Sequence, residues 1–295
     1  MSLSSAEAMR NLSAITWSHA TNTKALLTEV LSSDVHMIEA DIVYGTLKVD
    51  PATLQPVMAH PPNNESDISL ESFLSQIGEF NAKAPKGKQK GVKLDFKSTE
   101  VFENSVSLLL DIMWDKINFP IWINADIYPG PVNNTATMPV NAQAFFDGVK
   151  QLPNATLSPG WTTRWGSNFT EGSYTMEQVD AMIAGIKNNK VKNALTFPVR
   201  AGIAAQSIPQ LTHLYKSLIT DNNVTFTIWS SDNDSVDIGK LRQFIFEFSV
   251  DKVYIDVPKA VSDQLDLGNK PSGAAMTTIS AVVVTLATAL LLFSF

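Results

Sequence analysis

The sequence predicts an α/β fold, a single (β/α)8 barrel, and three observations predict it. About eight strand–helix units follow one another over roughly 245 residues, which is the size and rhythm of that architecture. The strand segments are short, rich in β-branched and aromatic residues, and bounded by Gly, Pro, Asn or Asp. No glycine-rich phosphate loop stands at the first strand–helix turn, so a doubly wound open sheet ranks second.

The elements follow in order. Ile15–Ser18 is the first strand, and Thr23–Leu31 the first helix, with Leu26, Leu27 and Val30 on one face. Met37–Tyr44 and Pro56–Ala59 count as one strand unit, and Asp67 before Leu70 marks a helix start. Gly91–Phe96 precedes a helix over Val101–Trp114, whose apolar face carries Val106, Leu109, Leu110 and Met113. Pro120–Ile127 and Ala155–Gly160 are the next strands, and Met176–Lys187 the next helix. Ala194–Val199 leads to a helix over Ile208–Ile219 capped by Ser207. Val224–Ser230 leads to one over Ile238–Phe248 capped by Asp237. Lys252–Val257 closes the series, and the basic stretch Lys83–Lys90 reads as a solvated connection.

Composition excludes several functions. With 22 Lys+Arg against 29 Asp+Glu, a net charge of −7 leaves no basic surplus for a nucleic-acid backbone. The absence of cysteine excludes a disulfide scaffold, a thiolate zinc site and a thiol nucleophile. Any metal must be held by carboxylates or imidazoles. The mean hydropathy of +0.02 is high for a soluble domain, and the excess lies at the C-terminus. Residues 273–295 carry no charge, and Ala281–Phe293 is almost wholly apolar. Small residues Ser272, Gly273 and Ala274 precede this tail. It reads either as a glycosylphosphatidylinositol attachment signal or as a transmembrane helix.

Residues 1–14 read as a disordered extension without a signal-peptide core, 15–260 as the barrel, and 261–272 as a linker. Asn11, Asn64, Asn133, Asn154, Asn168, Asn223 and Asn233 each begin a glycosylation sequon. Sequons and tail together place the chain in the secretory pathway or on the outer face of the plasma membrane, its leader missing from this sequence.

Strands of a parallel barrel are covered on both faces and should be apolar throughout, yet several here are not. In MIEADIVY, Glu39 and Asp41 share one face, opposite Ile38, Ala40 and Ile42. In VKLDFK, Lys93, Asp95 and Lys97 share a face, and in IWINADI so do Asn124 and Asp126. If the apolar faces meet the helices, these polar groups point into the barrel, mostly near the strand ends where barrel active sites lie. Buried charge is costly unless paired or bound to metal. His19 ends the first strand and His60 follows the strand-like PVMA. Two imidazoles facing three carboxylates suit metal-assisted acid–base chemistry. A hard cation on Glu39, Asp41 and Asp95 would bind phosphate oxygens, the histidines would move protons, and Lys93 or Lys97 would attract an anion. Internal ion pairing is the structural reading of the same residues. Trp161, Arg200 and Trp229 also end strands and fit either the mouth or the core, whereas His213 falls in a helix and His36 lacks this context.

TWSHATNTKALL, MIEADIVYG, AHPPNNESDISLESFL, GVKLDFKS, PIWINADIYPGP and TLSPGWTT together resemble the menorin-type domain, from about residue 15 to about residue 258. That family is thought to be related to the phosphatidylinositol-specific phospholipase-like phosphodiesterases, among them the glycerophosphodiester phosphodiesterases and sphingomyelinase D enzymes. The resemblance implies His19 and His60 as catalytic residues and Glu39, Asp41 and Asp95 as ligands of Mg2+ or Ca2+. The implied substrate is a glycerophosphodiester or lysophospholipid-like phosphodiester. Asp95 and Lys97 are similar to the acid–lysine pair of the sphingomyelinase D group. Ala20-Thr21 stands where the glycerophosphodiesterases carry Arg-Gly, and Pro61-Pro62 follows His60 where theirs has Asp. The resemblance also implies a second role, a cell-surface recognition module in neuronal patterning that binds adhesion or receptor proteins.

Overall fold

Period-two alternation sets the strands and period-3.6 stripes set the helices, in the chain order of a barrel. The computed structural model describes residues 11–115, 119–134, 136–166 and 168–269. The first strand, β1 (Trp17–Ser18), leads through α1 (Lys24–Leu31) to β2 (Met37–Leu47). Strand β2 turns back as the antiparallel β3 (Asp50–Met58), and β4 (Glu65–Ser66) precedes α2 (Leu70–Lys83). Next come β5 (Gly91–Phe96), α3 (Thr99–Asp115), β6 (Ile121–Pro129), α4 (Ala142–Val149), β7 (Thr156–Thr162) and α5 (Met176–Asn188). The last units are β8 (Leu195–Arg200), α6 (Ala201–Ala204), α7 (Ile208–Leu218), β9 (Val224–Trp229), α8 (Ile238–Phe248), β10 (Val253–Asp256) and α9 (Lys259–Ser262). Parallel ladders join β1-β2-β5-β6-β7-β8-β9-β10, the eight staves of the barrel. Among the described residues no ladder joins β1 to β10, so the circuit has one seam.

The main core lies between staves and helices. Ile38, Ala40, Ile42, Val92, Leu94, Ile123, Phe197 and Phe226 are all buried on the outer face of the sheet against helix residues such as Phe73, Phe102 and Phe244. The opposite face of each strand is thereby committed to the barrel interior, where the polar partners of the alternation go.

Several expectations are corrected. The unit Met37–Tyr44 plus Pro56–Ala59 is a hairpin longer than either segment, because β3 is an edge strand that tolerates Pro51 and Pro56. Helix α4 was not expected; Asn141 caps it by accepting from the Ala144 amide, and Phe145, Phe146 and Val149 are its buried stripe. Ser69, not Asp67, caps α2, and Asp67 instead accepts from the Lys24 amide at 3.1 Å. The Ser207 hydroxyl does not cap α7; it donates to Ile203 O and accepts from the Tyr174 amide. The loop Lys83–Lys90 is not wholly solvated. Lys90 is buried and donates its ammonium to Ser33 O and Val35 O, and burial lowers its pKa.

The expected disordered extension is ordered from residue 11: Leu12–Ala14 forms a 3-10 turn and the Ser13 amide bonds Val250 O at 3.1 Å. Beyond residue 260 the chain continues as α9 and keeps Leu265 in the core, so the expected linker begins as packed structure. Residues 1–10 and the apolar tail 273–295 lie outside the described residues.

Candidate functional site

Register decides which polar residues meet. Glu39 stands beside Lys93, Asp41 beside Asp95, Asp95 beside Asn124, and Asn124 beside Ser158. Because ladder partners point the same way, one level of the barrel interior gathers the polar side chains of four adjacent staves.

Each carboxylate is held. Glu39 is buried, its Oε2 accepting the Ala20 amide at 2.7 Å. Ala20 adopts φ +52°, a left-handed conformation that costs a non-glycine residue about 1 kcal/mol. That turn directs its amide at Glu39, while the Thr21 amide bonds Glu39 O at 2.8 Å. Asp41 is buried too, with Asn22 bonding both its carboxylate (2.8 Å) and its amide (2.9 Å). Asp95 accepts from Asn124 Nδ2 at 2.6 Å, and Asn124 Oδ1 accepts from Ser158 Oγ at 2.6 Å. The Lys97 ammonium bridges Asp41, at 2.7 Å, and Asp95. Burial pushes toward raising the Asp95 pKa, but Lys97 and Lys93 outweigh it and hold Asp95 below the ordinary aspartate value. The same carboxylates raise the Lys97 pKa against its burial.

Oxygens of Glu39, Asp41 and Asp95 lie within 4.8 Å of one another, a spacing that a hard cation with bonds of about 2.0–2.6 Å can bridge. The donor set is all oxygen, the kind that Mg2+ and Ca2+ take. Charge points the same way. Five interior carboxyls (Glu39, Asp41, Asp95, Asp126 and Asp256) face Lys93, Lys97 and His19, an excess of two negative charges when all are ionised. Two of these carboxyls resist ionisation: Glu39 is pushed up to about 7 by burial and then by Asp41, and Asp126 to about 7 by burial and then by Asp95. A divalent cation would cancel the same excess.

His19 borders this cluster, and His60 lines the mouth cavity that also reaches Asp95. His19 Nδ1 lies 3.0 Å from Asp256 Oδ2 and 3.6 Å from Glu39 Oε2, with the side chain half exposed. Burial lowers its pKa, but Glu39 and Asp256 prevail and raise it to about 9. The protonated form gains these partners only in the folded chain. Its stabilisation is therefore complete below about pH 6.5 and lost as pH rises through about 9. The margin by which wild type outlasts His19→Gln in urea is expected to shrink between pH 6 and pH 10; a constant margin would refute this coupling. His60 is exposed on the rim, its Nδ1 2.7 Å from Pro61 O.

A cavity of about 390 Å3 opens at the C-terminal mouth, lined by His60, Asp95, Lys97, Asp126, Thr162 and Trp229. Gly160 makes room for Asp126, because a Cβ there would collide with Asp126 Oδ1 and stand 2.9 Å from Pro198 Cγ. Arg200 does not point a free cation into this space; it forms a bidentate pair with Asp234 (2.7 Å for both bonds) and stacks 5.0 Å from the Trp229 ring. Trp161 is absent from the mouth. Strand parity turns it outward, where its Nε1 donates to Gln178 O among Tyr174 and Phe197. Lys93 is 97% buried, and among the described residues no carboxylate oxygen lies within 4.0 Å of its ammonium. His213 is tied to Asp180 at 2.8 Å, between α7 and α5, and His36 to Thr16.

Asp256, Asn22 and Ser158 were missed as site residues. Asp256 carried a usable signal, an acidic residue late in a strand; Asn22 lies in a loop and had none.

The model of the menorin N-terminal domain matches residues 11–262. Human protein FAM151B is 37% identical over 244 residues, covering 82% of each chain. Among solved structures, an orotidine 5'-monophosphate decarboxylase from Methanocaldococcus jannaschii superposes with TM-score 0.41 at 12% identity, covering 86% of this chain and 93% of that one. A probable tagatose 6 phosphate kinase from Sinorhizobium meliloti superposes with TM-score 0.40 at 11% identity, covering 82% and 64%. These overlaps are too loose to carry a functional argument.

Proposed function

The chain belongs to the menorin family, and on that premise we propose that its barrel is a metal-assisted phosphodiesterase-type site displayed outside the cell. The observation that carries the reading is the inward carboxylate triad of Glu39, Asp41 and Asp95, with His19 beside it and His60 at the mouth, each with one ring nitrogen engaged. A glycerophosphodiester or lysophospholipid is the substrate class that this arrangement suits.

The triad would hold Mg2+ or Ca2+, which when bound supplies Lewis-acid polarisation of a phosphoryl oxygen. Asp256 and Pro61 O orient the rings through Nδ1, so each Nε2 would be the nitrogen that serves the substrate. A substrate hydroxyl, or a water, forms the new bond to phosphorus while the ester bond to the leaving oxygen breaks. One imidazole accepts the attacking proton and the other protonates the leaving oxygen. Lys93, without a close carboxylate partner, draws the anionic phosphate toward the interior.

His19→Ala and His60→Ala are each expected to lower turnover of glycerophosphodiesters with Mg2+ or Ca2+ by about 100-fold or more, the usual scale of a lost acid or base. Wild-type turnover no higher than that of the double variant would remove the enzyme reading for those substrates.

One observation favours the second role. Lys97 already pairs with both Asp41 and Asp95, so the cluster can stand as a metal-free ion-pair network in a recognition module. A partner protein captured equally by wild type and the double-histidine variant would select that role. The sequons support exposure to the secretory pathway: Asn64, Asn133, Asn154, Asn168, Asn223 and Asn233 are solvent-exposed and Asn11 partly so. Among the described residues no helix is long and apolar enough to cross a membrane. Release from cells by a phosphatidylinositol-specific phospholipase would distinguish a lipid anchor from a spanning tail.

A further inference from the structure

Four of the interior carboxyls are held: Glu39 by the Ala20 amide, Asp41 by Asn22, Asp95 by Asn124 and Asp256 by His19. Asp126 is the exception. Among the described residues its carboxylate has neither a hydrogen bond nor an ion-pair partner. Its ladder partner on β7 is Gly160, which offers no side chain to pair with, and Lys97 is committed to Asp41 and Asp95. Asp126 is partly exposed, and the space it lines is the mouth cavity, shared with His60, Asp95 and Lys97. An unpaired carboxylate among like charges works against folding, and such groups persist where function needs them.

Position around the barrel defines what Asp126 can reach. The staves run β1-β2-β5-β6-β7-β8-β9-β10, and in a ring of eight, staves four apart stand opposite each other. Asp126 is on β6, the fourth stave, and Asp256, which holds His19, is on β10, the eighth. The triad lies between them, on β2 and β5. A phosphate held over the triad is therefore bracketed by His19 on one side and Asp126 on the other. In-line displacement at phosphorus needs such a bracket, because the attacking and leaving oxygens stand on opposite sides of it. Register adds depth: Asp95 pairs with Asn124, so Asp126 lies two residues nearer the mouth.

We propose that Asp126 is a further catalytic residue, which accepts a hydrogen bond from an attacking water and aims it at phosphorus from the side opposite His19. The inference rests on the phosphodiesterase-type reading and deepens it in two respects. The nucleophile is water rather than a substrate hydroxyl, and the two histidines take different tasks. One O–H of the water stays on Asp126, and the other proton passes to His60, which lines the same cavity. The water oxygen bonds to phosphorus as the ester bond breaks, and the leaving oxygen takes its proton from His19. His19 borders a separate cavity at the β1–β10 seam, away from the attacking water.

Asp126→Asn keeps the shape and removes the charge. With Mg2+ and the glycerophosphodiesters used for the histidine variants, it is expected to lower kcat about 10–100-fold and change KM less than about threefold. Two readouts do not depend on turnover. Mg2+ affinity should change by less than about tenfold, because Asp126 is not a ligand. The unfolding midpoint at pH 8 should rise by about 2–4 °C, because an uncompensated interior charge is gone. Asp126→Ala should regain part of its kcat in formate, which replaces the missing carboxylate. In water enriched in the heavy oxygen isotope, the phosphomonoester product should carry the label. Unchanged kcat in Asp126→Asn would overturn the proposal, as would an unlabelled cyclic product. So would a midpoint that falls by more than about 5 °C, the mark of a structural group. A wild type that turns over none of these substrates removes the phosphodiesterase reading and the proposal with it. Turnover that survives Asp126→Asn removes the proposal alone.

Discussion

Asp41→Asn is expected to abolish tight binding of Mg2+ or Ca2+, weakening it by about 100-fold or more. Losing a ligand should exceed the roughly 10–100-fold cost of losing an outer-shell partner. The amide keeps the shape and one of the two Asn22 contacts, but it removes the charge that Lys97 and the cation share. Asp34→Asn, at a side chain 96% exposed and paired with Lys88, is the control and should leave affinity unchanged. Calorimetric titration checks both, and equal affinity in wild type and Asp41→Asn would sink the ligand assignment.

The same measurement has a pH signature. Glu39 and Asp126 sit near 7, so protons compete with the cation below that value. Affinity is expected to rise as pH increases from 6 to 8, with protons released on binding. A flat profile would show that these carboxyls do not share the charge excess with the cation.

Asp234→Ala is expected to cost about 3–5 kcal/mol of stability, because it strands a nearly buried guanidinium. Both side chains are largely removed from water, 11% exposed for Arg200 and 2% for Asp234, and the two bonds are parallel and short. Asp234 also accepts the Ser231 amide at 3.1 Å, so the β9–α8 loop loses an anchor at the same time. At a few degrees per kcal/mol for a chain of this size, the unfolding midpoint should fall by about 10 °C. Arg200→Lys should not restore the pair, since an ammonium cannot match the bidentate geometry. Urea unfolding decides, and a loss under about 1 kcal/mol would mark the pair as a screened surface bridge.

The whole triad was legible because it obeys parity. Glu39 and Asp41, and separately Asp95 with Lys93, stand two apart on strands whose other face is apolar, and a polar face inside an α/β barrel has few places to go. Trp161 was misplaced for the same reason: it ends a strand, but on the parity that faces the helices. The sequence left Arg200 open between mouth and core because its partner Asp234 lies in the loop after β9, joined by folding rather than by local spacing. Asn22 and Asp256 entered the site through contacts 19 and 237 residues distant in sequence, which no local pattern encodes.

By itself, then, the sequence determined the barrel, the strands that carry inward charge, and the all-oxygen, thiol-free chemistry available for a cation. Those follow from alternation and composition, which are local. Tertiary structure alone decided that Lys97 sits between Asp41 and Asp95, that Asp256 orients His19, and that among the described residues no ladder joins β1 to β10 beside them. Each depends on which strands become neighbours when the sheet curls, and that is settled by register and closure of the whole chain.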